Sequence, residues 1–282
     1  MPNSPLQEIC ALLGQAVAGN PTQYMIEKLF VHHGLDWRYL TLEVKPEDLG
    51  DAIRGIRALG FRGANITKPH KVPVLEYLDR LTEAAKLIGA VNCIIREGRT
   101  LIGENTDGKG FLESLRGVTD PHAKRVVLLG AGGAARAIAV ELALAGAAAI
   151  TVVNRSVERG QSLVDRLNEK TPTPATLVAW DGDYRVPADT DVLVNATSIG
   201  LNDAAARVPV NLDDTRKSLV VADVIASPPL TRLVRKCRQL GLATLDGVGM
   251  IVNQGAIGFK LWTGIDADVP VMREAAEEFV ES

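Results

Sequence analysis

The fold is decided by the segment Val126-Val127-Leu128-Leu129-Gly130-Ala131-Gly132-Gly133-Ala134-Ala135. Its first four residues form an apolar run without alternation, which is typical of a parallel strand covered on both faces. The stretch from Ala134 to Ala145 is rich in Ala and Leu and therefore predicts a helix. A strand, a glycine turn and a helix in this order predict an α/β fold with a doubly wound parallel sheet.

The turn between this strand and helix follows the pattern Gly-x-Gly-x-x-Ala. Gly130 allows the sharp reversal, Gly132 lets the backbone approach a pyrophosphate, and Ala135 permits close packing of the helix on the strand. The start of the helix then offers its N–H groups to the phosphates. We therefore predict a dinucleotide site, with backbone contacts from Gly130, Ala131, Gly132, Gly133 and Ala134.

The end of the next strand indicates which dinucleotide is bound. Ile150 to Val153 reads as a strand, and the residues that follow include no carboxylate for the ribose 2′-hydroxyl of NAD. Arg155 instead offers a planar, permanently charged group that suits a 2′-phosphate. The sequence therefore predicts NADP, bound here by Asn154, Arg155, Ser156 and Arg159. The alternative is that Asn154 or Ser156 only caps the following helix and that Arg155 is solvated.

Bulk composition narrows the class of protein. The chain has 282 residues, enough for two domains, and its net charge of −3 provides no basic field for nucleic acid or an anionic membrane. Cys10, Cys93 and Cys237 are far apart, which favours a reducing compartment and argues against a structural zinc site. We see no signal peptide and no apolar run of membrane-spanning length. We therefore expect a cytoplasmic monomer or homodimer that binds a small-molecule substrate and no metal.

The rest of the chain alternates strands and helices in both halves. In the first half, apolar patterns predict strands at 9–13, 37–44 and 63–67 and helices at 24–33 and 46–59. Later patterns predict strands at 190–196, 218–225 and 243–246 and a helix at 250–264. We predict a substrate domain at 1–109, completed by helices in 250–282, and an NADP-binding Rossmann domain at 110–249.

Three polar clusters interrupt the first half, at 65–71, 89–92 and 103–108, in loops at predicted strand ends. Their amides, hydroxyls, ammonium and carboxylate are what a pocket for a polyhydroxylated acid needs, because each buried hydroxyl requires partners. The residues concerned are Asn65, Thr67, Lys71, Asn92, Asn105 and Asp107. Taken singly, each has an ordinary alternative: the last cluster could be a turn capping a helix that begins near Gly110, and Lys71 could be solvated.

Together, these clusters and the nucleotide segment resemble the shikimate dehydrogenase family. Residues 65–71 resemble its Asn-Val-Thr-x-Pro-x-Lys motif, 89–92 its Gly-Ala-Val-Asn, and 105–108 its Asn-Thr-Asp-Gly. The resemblance implies reversible NADPH-dependent reduction of 3-dehydroshikimate or a close analogue, a step of aromatic amino acid biosynthesis. It implies Lys71 and Asp107 as the catalytic pair, with Lys71 as proton donor. It further implies substrate contacts from Asn65, Thr67, Asn92 and Gln254, and cofactor contacts from Thr197, Val224, Gly247 and Met250.

Two departures from the family pattern concern residues that contact the substrate in that family. The Ser-x-Ser pair that binds the substrate carboxylate is replaced by Asn20-Pro21-Thr22, and a Tyr before Pro is replaced by Ala226. We therefore expect Asn20 and Thr22 to form an altered carboxylate subsite. Quinate or aminoshikimate dehydrogenase, or a sensor of NADP or a metabolite without turnover, are the alternatives. A dehydrogenase of folate one-carbon units is disfavoured, because that class lacks the Asn-Thr-Asp-Gly cluster.

Overall fold

The computed structural model describes residues 6–281, with side chains to residue 279. The chain divides into two compact units, which we call the first unit (up to Thr106, and again from Gln254) and the second unit (Asp107–Asn253). The predicted domains, 1–109 with 250–282 and 110–249, place the boundaries three or four residues away from these and remain predictions. Residues 1–5 and 282 of the predicted substrate domain lie outside the described residues.

Fourteen strands are present in the described chain, and their bounds are as follows. They are β1 (Glu8–Gly14), β2 (Trp37–Glu43), β3 (Gly63–Ile66), β4 (Arg80–Leu81), β5 (Cys93–Glu97), β6 (Thr100–Glu104), β7 (Arg125–Leu129), β8 (Ala149–Asn154), β9 (Ala175–Ala179), β10 (Tyr184–Arg185), β11 (Val192–Asn195), β12 (Val210–Asn211), β13 (Val220–Asp223) and β14 (Ala243–Leu245).

The same residues include nine α-helices and two short 3₁₀ turns. The helices are α1 (Thr22–His32), α2 (Leu49–Ala58), α3 (Glu83–Ile88), α4 (Thr106–Arg116), α5 (Gly133–Leu144), α6 (Val157–Lys170), α7 (Arg232–Gln239), α8 (Gly247–Thr263) and α9 (Val269–Glu281), and the 3₁₀ turns span Pro46–Asp48 and Pro73–Tyr77.

The sheet of the first unit has the strand order β2-β1-β3-β5-β6-β4. Strands β1, β2 and β3 are parallel, whereas β5 runs antiparallel to both β3 and β6. Apolar side chains from β1, α2, β3 and β5 form one buried cluster that includes Leu13, Ile53, Ile66 and Ile94. This core fixes the strand ends from which the polar loops of the first unit emerge.

Helix α8 is attached to this sheet at Trp262. The indole Nε1 donates to the backbone oxygen of Ile94, 3.0 Å away. A Cβ on Gly63 would stand 2.3 Å from that nitrogen, so only glycine leaves room for the ring at this position of β3. The contact ties the late residues of the chain to strands formed near its start.

The second unit contains a parallel sheet in the order β14-β13-β11-β7-β8-β9. The strand order reverses between β7 and β11, which is the arrangement of the Rossmann fold and marks its usual ligand-binding edge. The strands predicted in this half are found as β7, β8, β11, β13 and β14, and the predicted fold class is confirmed.

Several predicted boundaries are wrong. Helix α4 begins at Thr106, not near Gly110. Gly108 lies in its first turn and packs closely against α5, where a Cβ would stand 2.4 Å from the oxygen of Ala137. Helix α8 begins at Gly247 and not at Met250, since the bare Cα of Gly247 fits against the oxygen of Val224. The predicted helix at 46–59 divides into a 3₁₀ turn and α2. Strand β9 and the β5–β6 hairpin were not predicted.

Candidate active site

The glycine turn after β7 is shaped to receive an anion. Gly130 has φ +105°, and a Cβ on it would stand 3.0 Å from the oxygen of Ala196, which follows the neighbouring strand β11. Helix α5 starts at Gly133 without a side-chain cap, and a Cβ at Gly132 or Gly133 would meet nothing within 4 Å. The first N–H groups of α5 therefore have the open surroundings that a pyrophosphate requires.

The end of β8 caps the helix that follows it and leaves two arginines exposed. The Ser156 hydroxyl accepts from the N–H of Arg159 and caps α6, and Asn154 donates through Nδ2 to the oxygen of Ser156, 2.8 Å away. Neither bond uses the guanidinium of Arg155, and both arginine side chains are exposed. Capping is thus compatible with a 2′-phosphate site at Arg155 and Arg159. The residues present fit NADP.

Two buried residues that are not among the predicted site residues, Asn195 and Asp223, organise the loops after β11 and β13. Asn195 donates through Nδ2 to Asp223 Oδ1 (2.9 Å), and its own Oδ1 accepts from the Thr197 hydroxyl (2.7 Å). Asp223 also accepts from the Thr231 hydroxyl at 2.7 Å. Burial raises the pKa of Asp223, while these donors oppose the shift. The network holds Thr197 in place.

The other predicted cofactor residues of this edge lie beside the same network. The N–H of Val224 donates to the oxygen of Asn195 at 3.0 Å, and Gly247 packs against Val224. Met250 is partly buried one turn further along α8. Asn195 and Asp223 are the last residues of two adjacent strands. A polar residue at the end of a predicted apolar strand is the sequence signal that could have identified them.

In the first unit, the structure brings together three of the predicted substrate residues. Asn65 donates through Nδ2 to the backbone oxygen of Asn92 at 3.1 Å, and Asn92 Nδ2 lies 3.4 Å from Gln254 Oε1. Thr106 joins them, because its N–H donates to Asn92 Oδ1 (2.7 Å) and its hydroxyl lies 3.4 Å from Gln254 Oε1. Tyr39, which was not predicted, donates its hydroxyl to Asn65 Oδ1 at 2.7 Å.

We call Tyr39, Asn65, Asn92, Thr106 and Gln254 the amide network. All of its members except Gln254 are buried. Thr106 could have been found from the sequence because it lies within the polar cluster at 103–108, whereas Tyr39 carries no local signal.

The loop that carries Lys71 is fixed to this network through its backbone. The oxygen of Lys71 accepts from the N–H of Val91, 2.8 Å away, and Val91 precedes Asn92. His70 is fully buried, and its Nε2 donates to the oxygen of Val44 at 2.8 Å. Thr67 bonds through its N–H to the oxygen of Leu13, and its methyl group packs where Gly14 has no side chain. Lys71 itself is partly buried.

Asp107 and the first loop complete the predicted site residues. Asp107 directly follows Thr106 in the first turn of α4, where the helix dipole favours a negative charge. In the first loop, Asn20 Oδ1 accepts from the N–H of Thr22 at 2.9 Å, and Thr22 is buried as the first residue of α1. The Asn20 carbonyl is therefore already engaged at the start of a helix.

The described residues hold neither a cluster of metal ligands nor a helix suited to a membrane. No group of three or more His, Cys, Asp or Glu side chains in that part of the chain is arranged to hold a metal ion. Among the helices between residues 6 and 281, none is both long and apolar enough to cross a membrane.

The sheet of the second unit reverses its strand order beside a glycine turn, and helix α5 starts there without a cap. These features define a dinucleotide-binding protein of the Rossmann class. Models of one protein family match most of the chain in three segments. Residues 12–94 match the shikimate dehydrogenase substrate binding domain, 114–249 match shikimate / quinate 5-dehydrogenase, and 247–277 match the shikimate 5′-dehydrogenase C-terminal domain.

Individual relatives agree with the models. Shikimate dehydrogenase (NADP(+)) of Methanopyrus kandleri is 42% identical over 275 residues, covering 96% of this chain and 95% of that protein. The ligand-free 5-ketofructose reductase of Gluconobacter sp. strain CHM43 is 49% identical, with TM-score 0.96 over 98% of this chain and 99% of that one. A shikimate dehydrogenase solved with NADP+ is 34% identical, with TM-score 0.87 over 96% and 95% of the two chains.

The chain belongs to the shikimate dehydrogenase family, and it is an NADP-dependent oxidoreductase. The predicted family, enzyme class and cofactor are thereby confirmed. The predicted roles of individual site residues remain predictions.

Proposed function

We propose that the protein catalyses the reversible reduction of a ring ketone, on 3-dehydroshikimate or a close analogue, to the alcohol with NADPH. The observation that carries this proposal is the amide network beside the Lys71 loop in the first unit. Amides and hydroxyls arranged in this way can both donate to and accept from the hydroxyl groups of a cyclic polyol. Asn65, Thr67, Asn92 and Gln254 would bind the substrate.

The chemistry divides between the cofactor and the chain. NADPH supplies a hydride when it is bound. Lys71 gives a proton to the carbonyl oxygen as that oxygen gains negative charge, and takes a proton in the reverse direction. The backbone bond between Lys71 and Val91 fixes the root of the lysine side chain next to Asn92. Asp107 is the carboxylate proposed to act with Lys71.

The cofactor would be held by two groups of residues in the second unit. Gly130, Ala131, Gly132, Gly133 and Ala134 would receive the pyrophosphate, and Asn154, Arg155, Ser156 and Arg159 the 2′-phosphate. Thr197, Val224, Gly247 and Met250 would contact the nicotinamide end. The open start of α5 and the exposed arginines after β8 support these roles.

A second candidate reaction is the reduction of an uncharged keto sugar, such as 5-ketofructose. Residues 14–22 include no charged side chain, and Asn20 and Thr22 stand where a carboxylate subsite is expected. The carboxylate of Glu43 accepts from the N–H of Ala16 in this loop at 3.3 Å. A negative charge there disfavours an anionic substrate group, and the 49% identical relative is a 5-ketofructose reductase.

A substrate panel tests both candidates. Consumption of NADPH is measured with 3-dehydroshikimate, 3-dehydroquinate and 5-ketofructose, with the Lys71→Ala variant as the blank. The highest kcat/KM with 3-dehydroshikimate supports the first proposal, and the highest value with 5-ketofructose supports the second. NADPH binding without turnover of any of them refutes both and indicates a sensor.

We also infer that the protein works in the cytoplasm as a monomer or homodimer. Its three cysteines are free and buried, as expected in a reducing compartment. Fractionation of the native cells and light scattering of the purified protein check the two statements.

A further inference from the structure

Tyr39 is the fully buried member of the amide network that does not belong to any of the polar clusters. It lies in the middle of β2, where its neighbours on either side, Arg38 and Leu40, are exposed. Burial keeps the pKa of Tyr39 well above its usual range, so that the hydroxyl stays protonated and remains a hydrogen-bond donor.

The geometry around Asn65 assigns the direction of each hydrogen bond. The backbone oxygen of Asn92 can only accept, so the Asn65 atom that faces it at 3.1 Å must be Nδ2. The same oxygen also accepts from the N–H of Ile66 at 2.8 Å. Asn65 Oδ1 consequently faces Tyr39, and the phenol hydroxyl donates to it at 2.7 Å.

Tyr39 also contacts the helix that carries Gln254. Its ring centroid lies 6.0 Å from that of Trp262, which is bonded to Ile94. Trp262 and Gln254 are eight residues apart on α8, which corresponds to about 12 Å along the helix. One side chain therefore supports two members of the substrate site, Asn65 by its hydroxyl and Gln254 through the position of α8.

We propose that Tyr39 is a positioning residue, whose hydroxyl holds the Asn65 amide in the orientation required for substrate binding. The proposal rests on the proposed function, in which Asn65 contacts the substrate. If the hydroxyl is removed, the Asn65 amide is held only by the bond from its Nδ2 to the Asn92 oxygen, so its own oxygen is no longer kept in one fixed orientation toward the substrate.

The test is the Tyr39→Phe variant, which keeps the ring and its contact with Trp262. The substrate is the best member of the panel above. We expect its KM to rise about tenfold, the loss caused by removing one hydrogen bond of about 1.4 kcal/mol, while the KM for NADPH is unchanged. Tyr77→Phe is the matched control, because Tyr77 is exposed and lies outside the amide network. An unchanged substrate KM in Tyr39→Phe overturns the proposal.

A double-mutant cycle with Asn65→Ala separates positioning from general destabilisation. In the Asn65→Ala background, where there is no amide left to orient, Tyr39→Phe should change the substrate KM no further. A further rise in that background shows that the hydroxyl acts by another route and overturns the proposal. This comparison remains available if the single Tyr39→Phe variant does not fold, since the double variant lacks both the Tyr39 hydroxyl and the Asn65 oxygen and so leaves neither of them unpaired.

The two hypotheses fail in different ways. If Asn65→Ala raises the substrate KM and Tyr39→Phe does not, the positioning role is wrong and the substrate site stands. If Asn65→Ala has no effect on the KM of the substrate that is turned over, the assignment of Asn65 to the substrate site is itself wrong.

Discussion

The arginine after β8 should decide which dinucleotide the enzyme prefers. Arg155 is exposed and follows Asn154, the last residue of the strand. An Arg155→Ala substitution removes the charge proposed to bind the 2′-phosphate of NADPH. It leaves the α6 cap intact, because the bonds at Ser156 use no atom of the Arg155 side chain.

The size of the effect follows from the exposure of the side chain. A hydrogen bond to a charged group contributes about 1.5 to 3 kcal/mol, and screening by water places an exposed arginine at the lower end. A loss of about 1.5 kcal/mol corresponds to a roughly tenfold higher KM for NADPH. Arg155→Asp adds repulsion of about 1 kcal/mol across 4 Å of water, so the KM for NADPH should rise roughly 70-fold in that variant.

NADH has a hydroxyl in place of the 2′-phosphate and provides the internal comparison. Its KM should change less than about twofold in Arg155→Ala and should fall in Arg155→Asp, since a carboxylate accepts from the ribose hydroxyl. Steady-state kinetics with both cofactors measure the ratio, and raising the salt concentration should weaken NADPH binding in the native enzyme more than in the variant.

The matched control for this experiment is Arg54→Ala. Arg54 is also exposed, but it lies on α2 in the first unit and pairs with Asp51. An equal loss with NADPH and NADH in Arg155→Ala, or no loss with NADPH, would refute a 2′-phosphate contact at this residue.

Three further outcomes are expected. Lys71→Ala should lower kcat about 10² to 10⁴-fold without changing NADPH binding measured by fluorescence. Lys68→Ala, at an exposed position in the same polar cluster, should retain activity. Equal rates in native enzyme and Lys71→Ala would exclude the proton-donor role. Gly63→Ala should lower the free energy of unfolding in urea by about 2 kcal/mol or more, because the new Cβ would stand 2.2 Å from the oxygen of Ile94. The control Gly55→Ala, which has open space on α2, should raise that free energy by about 0.5 to 1 kcal/mol. A less stable Gly55→Ala than Gly63→Ala would contradict the packing at Trp262. Burial raises the pKa of Cys237 to about 11, so about one Cys237 thiol in 10³ is ionised at pH 8. All three cysteines are buried, and a thiol reagent should therefore label none of them rapidly until the protein is unfolded. Fast labelling of the native enzyme would contradict this burial.

The second unit was predictable because its signals are local. Each strand is a short apolar run, and the turn after β7 combines its glycines with a helix start within a few residues. Strand β9 was missed because its five residues, Ala175–Ala179, directly follow two Thr-Pro pairs at 171–174, a composition typical of a loop. The starts of α4 and α8 were placed too late because Gly108 and Gly247 lower helix propensity, whereas in the structure both glycines are required by close packing.

The first unit depends more on pairing between distant residues. The hairpin of β5 and β6 joins strands through a tight turn, and only the pairing of β5 with β3 gives it a place in the sheet. Asn65, Asn92 and Gln254 could be identified from motif resemblance, although Gln254 is 162 residues from Asn92. Tyr39 could not, since its contact with Asn65 depends on the register of β1 with both β2 and β3.

The attachment of Trp262 to Ile94 has a consequence for how the polypeptide is made. The second unit is one uninterrupted segment and can fold while it leaves the ribosome, but the first unit is divided between both ends of the sequence. The early strands must therefore wait for α8 with the site for its indole uncovered, and a stalled or truncated nascent chain would expose that apolar surface. Chaperone demand during synthesis should consequently concentrate on the amino-terminal strands and be relieved only when the last two helices emerge.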